Sequence, residues 1–225
     1  MTNCVVPTHV GMFRWGLPWL RRGSFARPAG ERLLMRYALR PETAALAAVA
    51  DEACGAIEKV HAGGVLPVLK MDGETGGALG VLEVMGLHAS RLGLKVDGQW
   101  PHLSAVHETG HLVDKHLLGD GQWISMTPAV AAWRDAVHKS RAFKALLKGR
   151  KKMWAGAWEY WSSDTELFAR SYAQWITVRS GDAVLATDLK NALRSPRPGV
   201  FWKGKDFDKI AVALDDLFRE RGLLK

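Results

Sequence analysis

Pro101-His102-Leu103-Ser104-Ala105-Val106-His107-Glu108-Thr109-Gly110-His111-Leu112-Val113-Asp114-Lys115-His116-Leu117-Leu118 is the stretch on which the reading of this chain turns. Proline stands only at its first position, and Leu103, Val106, Leu112 and Val113 supply apolar flanks, so the pattern predicts a helix from about 101 to 118. On such a helix His107 and His111 lie about 6 Å apart along the axis and about 40° apart around it, so both imidazoles reach one metal ion. Glu108 is displaced by about 100°, outside the ligand set but beside a metal-bound water. This is the H-E-x-x-H arrangement, in which zinc lowers the water's pKa and the glutamate takes its proton. The competing reading is a surface helix that carries these polar residues by coincidence. Gly110 costs the helix about 1 kcal/mol relative to alanine, a loss that a close helix approach at the metal would explain.

A catalytic zinc site takes three protein ligands and keeps one position open. The residue ten positions after His107 is Leu117, which cannot ligate, and His116 faces another side of the helix. Asp114 suits either an acceptor for a ligand imidazole or a solvated aspartate. The better third ligand is Glu166, 55 residues beyond His111, at the start of a helix whose Leu167, Phe168, Tyr172, Trp175 and Ile176 would pack on the core. Ser163-x-x-Glu166 is also a capping box, which needs no metal, so both readings stand.

Elsewhere the pattern predicts α+β. A helix is signalled from Pro41, with Leu46, Val49, Ala53, Ile57 and Val60 at helical steps and Gly63-Gly64 ending it. Three β-prone stretches follow, 65–70, 78–84 and 92–96, short enough for a small twisted sheet of hairpins. Further helices are expected near 128–147, 163–179, 182–193 and 206–221. The 225 residues suit a basic amino-terminal arm over 1–40 and one domain over 41–225.

The net charge is +8, and the arm alone holds seven arginines, among them Arg14, Arg21 and Arg22, against Glu31. A second basic cluster comprises Arg141, Lys144, Lys148, Arg150, Lys151 and Lys152. Such clusters favour an acidic partner or nucleic acid, and Trp15 and Trp19 among the arginines could stack on bases. The bland alternative is a solvated face. No apolar run is long enough for a transmembrane segment, no secretory signal is legible, and Cys4 and Cys54 cannot form a disulfide framework. A cytoplasmic chain is expected.

His-Glu-Thr-Gly-His-Leu-Val-Asp (His107 to Asp114), with Tyr160-Trp161 and Glu-Leu-Phe-Ala-Arg (Glu166 to Arg170), resembles the gluzincin-type metallopeptidase domains of bacteriophages and mobile elements. These are similar in turn to the anthrax lethal factor-like superfamily. The resemblance runs from about Leu92 to Leu224, including Pro196-Arg197-Pro198-Gly199, and departs from the family at Ala173-Gln174, where an acidic residue is common.

The resemblance implies a zincin-like fold with a strand edge beside the active-site helix, either 92–96 or 78–84. It implies Zn2+ held by His107, His111 and Glu166, Glu108 as general base, and Tyr160 as a phenol that steadies the oxyanion. Tyr172 is the weaker alternative, and either tyrosine could be only a core residue. The implied function is a zinc-dependent endopeptidase in a bacterial host cell, free or virion-associated, acting on protein or peptide. The alternative is an inactive zincin-like module that contacts nucleic acid or a virion partner through its arm; a toxin that cleaves a host protein is a weaker third.

Overall fold

The computed structural model describes residues 39–85, 88–153, 156–194 and 201–225. Residues 1–38 of the expected arm, including Arg14, Arg21 and Arg22, lie outside these, as does Pro196-Arg197-Pro198-Gly199. Among the described residues no helix is long and apolar enough to cross a membrane.

The architecture is α+β. Strands β1 (Leu39–Pro41), β2 (Leu69–Asp72), β3 (Gly80–Met85) and β4 (His88–Leu94) form one mixed sheet in the order β1-β2-β4-β3. Only β3 and β4 form the expected hairpin pair. β1 and β2 are parallel, as are β2 and β4, because the chain leaves β1 through helix α1 (Ala44–Val60) and returns in the same direction. Helix α1 starts later than Pro41 suggested: Pro41 ends β1, and Thr43 caps the helix by accepting a hydrogen bond from Leu46 N–H at 3.2 Å. Its buried face contains the expected Leu46, Val49, Ala53, Ile57 and Val60.

The second half is helical: α2 (Pro101–Leu112), α3 (Ala131–Lys139), α4 (Arg141–Gly149), α5 (Ala157–Ser162), α6 (Asp164–Ser180), α7 (Ala183–Ala192) and α8 (Lys205–Glu220). The helix expected over 128–147 is broken at Ser140, which ends α3 and caps α4 through a 3.1 Å bond from Phe143 N–H to its hydroxyl. Trp100 precedes α2 in the left-handed conformation, with φ 59°, and supplies no side-chain cap. Asp188 on α7 does so instead, accepting from His102 and Leu103 N–H at 3.1 and 3.2 Å. After α2 the coil widens over Val113–Leu117, where Leu118 N–H bonds the Val113 carbonyl.

Helix α6 is the axis of the core, buried without interruption from Glu166 to Thr177. Its polar residues are matched. Ser171 accepts from the Trp133 indole at 3.1 Å, and Gln174 exchanges two hydrogen bonds with the Trp202 backbone at 2.7 and 3.0 Å. The Trp175 indole donates to Asp215 on α8 at 2.8 Å. These large side chains contribute apolar area while their N–H groups find partners, as burial requires.

His61, just past α1, joins this core. Its Nδ1 lies 3.1 Å from the Leu223 carbonyl and its Nε2 3.0 Å from the Tyr172 hydroxyl, so Nδ1–H donates to the carbonyl and Nε2 accepts from the phenol. The ring also packs edge-on against Trp175 and Phe218. Burial pushes its pKa from 6.5 down to about 4. Between those values the unfolded chain binds the proton and the folded one does not. Stability is therefore full above 6.5 and falls as pH drops towards 4, by up to about 3 kcal/mol. Urea unfolding of His61→Gln at pH 7.5 and 4.5 should show this part of the pH dependence gone, relative to the unsubstituted chain.

Candidate metal centre

Helix α2 presents His107 and His111 on one side, with ring centroids 4.9 Å apart and planes at 83°. Glu166, in the first turn of α6, faces them: its Oε2 is 3.5 Å from His107 Nε2 and its Oε1 is 3.2 Å from His111 Nε2. One ligand atom from each of the three lies within 4.8 Å of the others. A tetrahedral ion with bonds near 2.0–2.1 Å needs ligand atoms about 3.3–3.4 Å apart; each imidazole stands at about that distance from a Glu166 oxygen, though from a different one. Two neutral nitrogens and a carboxylate oxygen are a donor set that suits a divalent metal, and this trio could hold one. Burial alone would raise the Glu166 pKa, but hydrogen bonds from both imidazoles hold it well below the usual carboxylate range. The residue is thus ready as an anion.

Two glycines set this geometry. A methyl group on Gly110 would lie 2.9 Å from Ala169 Cα and 3.2 Å from the Ala169 carbonyl oxygen. The helix-breaking residue inside the motif is where α2 and α6 touch backbone to backbone, as the cost of a mid-helix glycine suggested. The second glycine was not legible in the sequence. A methyl group on Gly80, in β3, would stand 2.7 Å from Glu108 Oε1 and 2.8 Å from its Cγ, so Gly80 vacates the space that Glu108 fills. Gly80 carries no motif, and only the placing of β3 against α2 reveals its role.

Both stretches contact α2, but they differ in their place in the sheet. The 92–96 stretch belongs mainly to the interior strand β4, whereas β3 is one edge of the sheet, and its Leu82 N–H donates to the Glu108 carboxylate. Burial raises the Glu108 pKa, against the nearby histidines, which lower it.

Tyr160, on α5, is 52% exposed, yet its hydroxyl reaches Glu166 in a hydrogen bond. Burial of that hydroxyl and the charges of Glu166 and Glu108 push the phenol pKa up. Tyr172 is excluded as the alternative: it is fully buried and its hydroxyl is spent on His61. Asp114 is neither solvated nor bonded to an imidazole. It is completely buried and accepts from Ser125 N–H at 2.8 Å and Ser125 Oγ–H at 2.6 Å, while His111 Nδ1 has no hydrogen-bond partner among the described residues. Burial pushes the Asp114 pKa to about 6, with the Ser125 bonds opposing.

Asp114 instead anchors a relay between the two metal-site helices. The Ser125 carbonyl accepts from Arg134, whose Nε donates to Asp164 at 2.6 Å, two residues before Glu166. Beneath Glu166, Arg170 donates to the Glu166 and Trp161 carbonyls and lies over the Trp161 ring. Gln174 faces Trp202 in the core. Trp123 meets the His111 ring edge-on at 6.0 Å, and Lys115 Nζ lies 5.0 Å from its ring centre on the other contact. Trp123, Arg134 and Gly80 carry no sequence signal of their own.

No family model, curated protein or solved structure matches this chain.

The glycines make opposite predictions. Gly110→Ala forces two backbones apart and should cost about 1–3 kcal/mol of stability and weaken divalent-metal affinity on the order of tenfold. Gly80→Ala meets only a flexible side chain and should leave metal affinity unchanged. Chemical denaturation and calorimetric zinc titration of both variants check this.

Proposed function

We propose that this chain is a zinc-dependent endopeptidase of the gluzincin type, akin to those encoded by phages and mobile elements. The observation that supports it most is the convergence of His107, His111 and Glu166, with Glu108 beside them at the free edge of β3. In this reading the trio holds Zn2+. When bound, the ion supplies Lewis acidity, which acidifies water and polarises the scissile carbonyl.

The other tasks fall to the chain. Glu108, buried and with its proton affinity raised, takes the proton of the attacking water and returns it to the leaving amine. The Tyr160 hydroxyl, which rests against Glu166, turns its one proton from that carboxylate to the oxygen on which negative charge grows. An extended substrate pairs its backbone with the edge of β3, and the Leu82 N–H fixes the resting place of the general base beside it. Gly80 is a positioning residue in this scheme, because it lets Glu108 approach the strand.

Purified protein should contain about one zinc per chain, and His107→Ala/His111→Ala should lose it; unchanged zinc content in that double variant overturns the proposal. Glu108→Gln should keep zinc and lower hydrolysis of a labelled unfolded protein by about 10²–10⁴-fold. Gly80→Ala should also keep zinc and lower turnover more than it raises KM. A zinc-loaded unsubstituted chain that hydrolyses nothing would favour the inactive binding module.

A further inference from the structure

Between Ala136 and Trp158 the chain carries seven lysines and arginines and no acid. Four of these cations, Arg141, Lys144, Lys148 and Lys151, follow one another at steps of three, four and three residues, which places them along one side of α4 and the turn after it. All four are exposed, and none forms an ion pair among the described residues. The opposite side of α4 buries Leu146 and half-buries Ala142 and Phe143, so the orientation of the stripe is fixed by packing. Like charges at these steps repel, so the stripe brings the folded chain no stability of its own. Its length, ten residues at about 1.5 Å, is about 15 Å, the span of about five residues of extended polypeptide.

The stripe leads into the candidate site. Arg150, at its end, lies 5.3 Å from the centre of the Trp158 ring, and Trp158 belongs to α5, the helix that brings Tyr160 to Glu166. Among the described residues beside it, the aromatic faces are already engaged: Phe143 is stacked on His138, and Arg150 covers Trp158. From charge, length and continuity with the site, we infer that the Arg141–Lys151 stripe docks an acidic segment of the polypeptide substrate. This rests on the peptidase reading for the word substrate, but the docking itself is measurable without hydrolysis.

The probe is a fluorescent ten-residue polyglutamate peptide, titrated by anisotropy at low salt against the full chain. Lys144→Glu/Lys148→Glu should weaken binding on the order of tenfold, while Lys190→Glu/Lys209→Glu, an equal charge change at exposed lysines elsewhere, should change it less than about twofold. The amino-terminal arginines are common to every variant, so only the difference between the two counts. Zinc content should be the same in all three proteins. Undetectable binding, equal weakening by both variants, or tighter binding of a ten-nucleotide single strand that only the stripe variant abolishes would each overturn the inference. If zinc or hydrolysis is absent while the stripe-specific difference persists, the peptidase reading falls and the acidic docking surface stands.

Discussion

Gly110 lacks a side chain because the Ala169 backbone occupies the place where one would be. Gly110 is three residues after His107, and Ala169 is three residues after Glu166, so the crossing point lies one turn from a ligand on each helix. Such an approach converts two independent helices into one rigid ligand frame. It also explains a glycine tolerated in mid-helix: the loss of propensity is offset where two backbones must meet. Every other feature of the site presupposes this contact, since Glu166 has no reason to face the histidines without it.

The surrounding protein holds that crossing from several directions. The indoles of Trp133 and Trp175 donate to Ser171 on α6 and to Asp215 on α8, and Gln174 locks the Trp202 backbone, so α6 cannot rotate without leaving buried donors unpaired. Asp188 fixes the start of α2, and the Asp114–Ser125–Arg134–Asp164 relay ties its end to the beginning of α6. Polar groups thus set orientation, while apolar burial supplies the driving force.

How far this was legible varies with how local the cause is. His107, Glu108 and His111 share one helix, so spacing alone fixed their relation. Glu166 was ambiguous because Ser163 caps α6 in fact, accepting from Glu166 N–H at 3.4 Å, while the Glu166 carboxylate turns to the histidines. One residue serves both patterns, and a sequence cannot divide backbone from side chain. Asp114 misled because its partner Ser125 is eleven residues on, across a turn. Strand order, and with it Gly80, depends on long-range pairing that leaves no periodic trace. The break at Ser140 was hidden inside a stretch of continuous helical pattern, and the short α5 fell in the gap between two expected helices.

The 54 residues between His111 and Glu166 also govern when the site comes into being. A chain that has formed α2 alone offers two imidazoles and nothing opposite them; the third donor arrives only when α6 docks, after the loops and helices between have been closed at an entropic cost. A metal that needs all three donors therefore prefers the assembled chain to every partly folded form, and each increment of free metal deepens the native basin through mass action. Were such an ion bound, its availability in the cell would become a determinant of how much folded protein exists, quite apart from any chemistry it assists.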